Sequence, residues 1–155
     1  MKNNKSLALK ARSYAFLLLK YRQRSEKEIS DRLKKKNFSE ELIKETIVFL
    51  QEKKFIDDLA FSRAWIRERL AHSIGPRRLK QELKSKGISK EIIENNLRQA
   101  QESYSEAETV RELAASRLGR MKNLEPGIAK RRLYAYLLRR GFSPDIVIDA
   151  INQLE

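Results

Sequence analysis

One pattern occurs three times in this chain, with no gap inside any copy. Ile29, Leu79 and Leu133 align, and so do Leu33, Leu83 and Leu137. Then come Asn37, Gly87 and Gly141, followed by Phe38, Ile88 and Phe142, and by Ser39, Ser89 and Ser143. Self-similarity at a fixed period of about 50 residues marks a repeat protein, whose modules stack on their neighbours. Such a protein offers a long binding surface more readily than a pocket enclosing a reaction.

Each aligned copy predicts two helices. Leu79 and Leu83 stand one turn apart and give a short apolar stripe. Gly87 and Gly141 suit the left-handed residue that ends a helix, and Asn37 does this less well. Ile88, Phe38 and Phe142 suit the apolar contact that follows such a stop. Ser39, Ser89 and Ser143 are N-cap residues, with Glu40, Glu41, Glu91 and Asp145 after them where the helix dipole favours acids. Pro144 takes the first helical position, where a missing N–H is harmless. The second helix buries Ile43, Ile47 and Leu50, then Ile93, Leu97 and Ala100, then Val147, Ile151 and Leu154.

A further helix precedes each pair, at about residues 6–22, 58–73 and 105–120. Ser25 and Glu28 form a capping box signature, and Gly75-Pro76 opens the equivalent helix. In the third copy the break is Glu125-Pro126-Gly127, which starts that helix a turn earlier. No strand alternation appears. The expected fold is therefore all-α: three tandem three-helix repeats, residues 1–56, 57–104 and 105–155, forming an elongated, curved helical array.

Glycine (5) and proline (3) are too scarce for a loop-rich fold, and the absence of cysteine excludes disulfides and thiolate metal sites. The apolar run from Tyr14 to Leu19 is too short to span a membrane. The first 25 residues lack acids and carry Lys2, Lys5, Lys10 and Arg12. That fits an organelle-targeting leader, but it fits the first repeat helix equally, and a cytoplasmic protein is the simpler expectation. The net charge of +13 favours polyanions. It is uneven: residues 1–56 hold 15 Lys and Arg against 7 Asp and Glu, residues 57–104 hold 10 against 7, and residues 105–155 hold 9 against 7.

No catalytic constellation stands out, so neither an enzyme nor a cofactor is expected. His72 is a lone histidine with no ligand partners at metal spacing. Asp57-Asp58 reads as a helix cap before it reads as a metal pair. The five glycines never cluster into a phosphate loop. Trp65, Tyr14, Tyr134 and Tyr136 read as packing residues ahead of base-stacking ones.

Two basic positions recur. Lys36, Lys86 and Arg140 fall in the last turn of a helix, where the dipole favours a cation whether or not a partner exists. Lys27, Arg77 and Arg131 fall at the start of the same helices, where the dipole disfavours one. A partner surface explains them, and so does a salt bridge to a neighbour. Around them lie Lys34 and Lys35 in the first copy, Arg78, Lys80 and Lys84 in the second, and Lys130, Arg132 and Arg139 in the third. These basic residues are the candidate site for a protein partner or for DNA. Phosphate contacts from such a row would be sequence-independent and salt-sensitive, since the helices offer few base-reading side chains.

The chain resembles the RecX family of recombinase regulators from about Ala8 to Leu154. The resemblance is carried by FIDDLAFSRAWIRERL at 55–70 with IGPRRLKQELKSKGIS at 74–89, by RRLYAYLLRRGF at 131–142 and by ARSYAFLLLKYRQRSEKEISDRL at 11–33. It implies three tandem three-helix repeats. It also implies binding to the RecA recombinase filament on single-stranded DNA; a monomer without membrane association is expected. Such a protein would restrain filament extension, ATP hydrolysis, strand exchange and co-protease activity, and so recombination, DNA repair and the SOS response. Non-specific DNA contact is implied as well. A sequence-independent nucleic-acid-binding helical module is the alternative. Asn37, where the other copies have glycine, is a departure from the repeat pattern.

Overall fold

The computed structural model describes residues 2–154. Among them are nine helices and no strand. The helices are α1 (Lys2–Tyr21), α2 (Glu26–Lys35), α3 (Glu40–Glu52), α4 (Asp58–Ala71), α5 (Pro76–Ser85), α6 (Lys90–Gln101), α7 (Glu106–Gly119), α8 (Pro126–Arg139) and α9 (Pro144–Asn152). The all-helical expectation holds. The first helix begins at Lys2, earlier than its apolar stripe suggested. The third copy does open a turn sooner, so α8 is 14 residues long where α2 and α5 are 10.

The chain forms two compact units. Unit 1 comprises Met1–Ala64 with Leu83–Ile92, and unit 2 comprises Trp65–Glu82 with Ile93–Glu155. In unit 1, α1, α2 and α3 pack pairwise around Ala11, Ala15, Leu18, Ile29, Leu33, Ile43, Ile47 and Leu50. In unit 2, α7, α8 and α9 repeat the arrangement around Val110, Ala114, Leu133, Leu137, Phe142, Val147 and Ile151. The aligned apolar positions are thus the core, and burying each such side chain contributes about 1.5–3 kcal/mol.

The caps follow the sequence with one correction. Ser25 accepts the Glu28 amide while the Ser25 amide donates to Glu28, completing the capping box. Ser39 and Ser89 accept the amides of Leu42 and Ile92. Ser143 stands at the N-cap of α9 but its side chain makes no cap bond. Its amide donates instead to Glu106 at 2.7 Å, tying the start of α9 to the start of α7.

Among the described residues, five helix ends use the same left-handed stop. Asn37, Lys54, Ser73, Gly87 and Gly141 all have positive φ. The next residue's amide reaches back to the sixth carbonyl in each: Phe38 to Leu33, Phe55 to Leu50, Ile74 to Arg69, Ile88 to Leu83 and Phe142 to Leu137. Only two of the five are glycine, and conformation alone does not separate them. Space does. In unit 1 the turn at Gly87 meets the start of α2, and a Cβ there would lie 2.5 Å from the Lys27 Cβ. In unit 2 the turn at Gly141 meets the start of α5, and a Cβ would lie 2.5 Å from the Arg78 amide nitrogen. Each glycine lets one module's turn sit on the helix start of the module before it. Asn37 is exposed. A side chain is tolerated there, which accounts for the departure noted above.

Backbone hydrogen bonds fasten both junctions. Ser25, fully buried, donates its hydroxyl to the Lys86 carbonyl at 2.7 Å. Gly75 and Arg77 donate their amides to the Arg140 and Gly141 carbonyls at 2.7 and 3.0 Å. Gly75 itself has no room for a side chain, since a Cβ would strike the Gly141 carbonyl.

The two roles of glycine are separable by mutation. Asparagine tolerates the left-handed region, so Gly141→Asn isolates the steric part. It should lower unfolding free energy by about 2 kcal/mol or more in urea titration. Asn37→Gly should change it by less than about 0.5 kcal/mol.

Candidate partner-binding surface

The structure sorts the recurring cations into those turned inward and those left on the surface. The last-turn position is structural in two copies. Lys86 pairs with Glu28 at 2.7 Å in unit 1 and lies over the Phe61 ring. Arg140 donates to the Ser73 carbonyl at 2.9 Å and to that of His72 in unit 2, and stacks over Tyr136. Lys36 is exposed, with its ammonium 5.4 Å from the centre of the Tyr14 ring. The recurrence of a cation here follows from module packing as well as from the dipole.

Two carboxylates hold the inward cations. Glu28 takes both guanidinium nitrogens of Arg22, at 2.8 and 3.1 Å, and the Lys86 ammonium. Burial raises its pKa, but the bonds from Arg22, Lys86 and the Ser25 amide outweigh burial and hold it at about 2. Glu82 does the same in unit 2 with Arg69 at 2.6 Å, the Trp65 indole at 3.0 Å and Arg78 at 3.2 Å. Burial again opposes, yet Arg69 and Trp65 lower its pKa.

The first-turn position is divided. Lys27 pairs with Asp31 one turn along α2 at 2.8 Å. Arg77 and Arg131 are exposed, and among the described residues their side chains make no hydrogen bond or ion pair. The same is true of Lys34, Lys35, Lys80, Lys84, Arg132 and Arg139. On α5, Arg77, Lys80 and Lys84 share an exposed face turned in part from the buried Leu79 and Leu83. On α8, Arg132 and Arg139 stand two turns apart, with Arg131 beside the first. Lys130 is half-buried near the start of α8.

The other candidates resolve plainly. His72 is exposed, its Nδ1 2.9 Å from the Glu68 carbonyl. Asp57 caps α4 by accepting the amides of Leu59 and Ala60. Asp58 accepts the Glu26 amide, and burial pushes its pKa up. Among the described residues no group of three or more His, Asp or Glu side chains is placed to hold a metal ion. None of their helices is long and apolar enough to cross a membrane. Trp65 and the three tyrosines are half-buried, as packing residues.

An apolar patch in unit 1 was not anticipated. Leu9, Phe16, Val48 and Phe55 are exposed. Phe16 meets Phe55 edge-on, with centroids 4.8 Å apart, and Phe49 at 6.2 Å. The Arg12 guanidinium lies 3.9 Å from the centre of the Phe49 ring. The signal was present: six apolar residues in succession, Tyr14 to Leu19, cannot all face one side of a helix.

The features define a class: a tandem helical-repeat protein with cationic helix faces and an exposed aromatic patch. Three family models match consecutive parts of the chain: the first three-helix domain of RecX at residues 11–50, the second at 57–97 and the third at 105–151. The chain belongs to the RecX family. A regulatory protein RecX of Caldanaerobacter subterraneus subsp. tengcongensis is 32% identical over 94% of this chain and 71% of its own length. One from Clostridium botulinum (strain Eklund 17B / Type B) is 29% identical over 97% of this chain and 71% of its own. The crystal structure of RecX from Lactobacillus salivarius superposes with a TM-score of 0.81 at 27% identity, covering 97% of both chains.

The Glu28 cluster has a pH signature. A carboxylate whose pKa falls on folding stabilises the fold above its unfolded value, and this stabilisation is lost as pH drops toward the folded value. Wild type should therefore lose stability between about pH 4.5 and 2 through this group. Glu28→Gln should be less stable at pH 7 by about 1–3 kcal/mol, and the gap should close across that interval in acid titrations followed by circular dichroism.

Proposed function

We propose that this protein is a negative modulator of the RecA recombinase. It binds the filament that RecA forms on single-stranded DNA and restrains filament extension, ATP hydrolysis, strand exchange and co-protease activity. It acts by binding, not by catalysis, as a cytoplasmic monomer without membrane attachment. The observation that carries this reading is the run of three RecX domain matches across residues 11–151, in family order. Division of the chain at 1–56, 57–104 and 105–155 accompanies it.

The surface supports a polymer-binding role. Arg77, Lys80, Arg131 and Arg132 are outward cations that can contact successive sites on a repetitive partner, each weak contact adding to the next. The patch at Leu9, Phe16, Val48 and Phe55 favours protein as the main partner, because exposed apolar area rimmed by charge suits a protein interface better than a phosphate backbone. A sequence-independent nucleic-acid-binding module is the second reading, favoured by the cations alone.

Addition of this protein in amounts below one per RecA should lower the single-stranded-DNA-dependent ATPase of RecA. An unchanged rate at a molar excess would overturn the reading. Preformed filaments assayed at two DNA concentrations separate the alternatives: inhibition that disappears when DNA is in excess belongs to the second.

Charge reversal tests the surface. Arg77→Glu with Arg131→Glu should raise the concentration for half-inhibition about tenfold, with helical circular dichroism unchanged. Loss of helicity would return these residues to a structural role.

A further inference from the structure

Unit 1 holds a groove of about 410 Å³ between α1 and α3. Arg12 lines one side of it, and Val48, Phe49 and Glu52 line the other. Leu9 and Phe16 stand one turn to either side of Arg12 on α1, and Phe55 meets Phe16 edge-on. Leu9, Val48 and Phe55 are 63%, 50% and 52% exposed, so the described chain leaves them largely uncovered. The repeat supplies an internal comparison. Val48 and Phe49 align with Arg98 and Gln99 in the second module and with Asn152 and Gln153 in the third, all four of them exposed. Phe55 stands two residues before the α4 cap, where Ser103 stands two before the cap of α7. The same fold is thus built with polar residues at these places. Packing does not require the apolar side chains of the first module, and an uncovered aliphatic and aromatic patch of this kind marks an interaction site.

We propose that this groove docks an amphipathic helix of the partner protein, with an apolar stripe on Phe16 and Val48 and with Asp or Glu along the edge that faces α1. The length suits a helix: the α3 wall runs from Lys44 to Glu52, about 12 Å, and apolar anchors at i, i+4 and i+7 span about 10 Å. The described residues offer no sheet edge to which an extended segment could add. Charge sets the composition. Lys5, Leu9, Arg12, Phe16 and Lys20 fall within an arc of about 80° on α1, so cations alternate with apolar residues along one face. Lys5 and Lys20 are exposed and make no hydrogen bond or ion pair among the described residues, and α1 contains no acid. Glu45 and Glu52 stand on the opposite wall, so the acids of the incoming helix belong on the α1 side. A second copy of this chain is a poor occupant, because residues 1–56 carry 15 Lys and Arg against 7 Asp and Glu and would repel their like. The proposal rests on the reading above that the partner is the RecA filament, and gives the chemistry of one segment of it.

The sequence has no cysteine, so a single label can be placed beside the groove. Ser13→Cys, at an exposed position next to Arg12, should be coupled to a benzophenone maleimide, mixed with RecA filaments on single-stranded DNA and irradiated. The cross-linked partner, read by mass spectrometry, should be a RecA peptide with more Asp and Glu than Lys and Arg. Adding Val48→Glu should abolish the cross-link and raise the concentration for half-inhibition of the RecA ATPase about tenfold. Asn152→Glu places the same charge at the aligned position of the third module and should change that concentration by less than about twofold. Lys5→Glu with Lys20→Glu should weaken inhibition about fivefold, and this pair decides the matter if Val48→Glu loses helicity. No cross-link, or a cross-link to a peptide rich in Lys and Arg, to the DNA strand or to a second copy of this chain, would each overturn the proposal. Inhibition indifferent to both Val48→Glu and the Lys5, Lys20 pair would do the same. In each of those cases the unmodified protein still inhibits and the reading above stands, whereas absence of inhibition by the unmodified protein removes both.

Discussion

The close approach of a helix-ending turn to the start of an earlier helix is the contact on which the repeat depends. A left-handed stop is within reach of asparagine, lysine and serine, and this chain uses all three. What those residues cannot do is bring the turn's backbone against another module. Gly87 and Gly141 do so, and a bond to the Lys86, Arg140 or Gly141 carbonyl then closes each junction. Removing the side chain leaves backbone donors and acceptors free to meet directly, in place of water. The cores on either side need only the ordinary spacing of Leu and Ile.

The same junctions organise the electrostatics. Glu28, in the first turn of α2, draws in Arg22 and Lys86, and Glu82, further along α5, draws in Arg69 and Arg78. Half-buried ion pairs with several hydrogen bonds resist salt better than isolated surface charges do. The formal +13 therefore overstates what a polyanion meets at these places. Among the described residues, the candidate cations that face solvent without a partner include Lys34 and Lys35 on α2 together with those on α5 and α8. The aromatic patch of unit 1 adds a contact that salt does not screen. A partner engaging both would bind through a salt-dependent and a salt-independent component.

Much of the fold was legible because local chemistry and tertiary packing agree. Ile29, Leu79 and Leu133 are core residues for the reason their alignment suggested, and Ser25 with Glu28 caps as its spacing required. The misses came where a distant partner decided the outcome. Ser143 stands at the N-cap without a side-chain cap bond, and its amide is held by Glu106, 37 residues away. Lys54 and Ser73 adopt left-handed stops that their residue types do not advertise. Of the candidate cations, sequence could place Arg140 in a last turn but could not reveal that its guanidinium is committed to carbonyls at the end of α4. Phe16 and Phe55 were hidden by their type, since an apolar residue reads as core until a structure shows it uncovered.

Asn37 carries a lesson for engineering. Anyone lengthening this scaffold by grafting an additional copy ahead of the first would present a new helix start to a turn with an amide side chain in the way. Glycine at that one position becomes the prerequisite for growth in that direction. A single carboxamide at that turn would fill the space that Gly87 and Gly141 leave open at theirs.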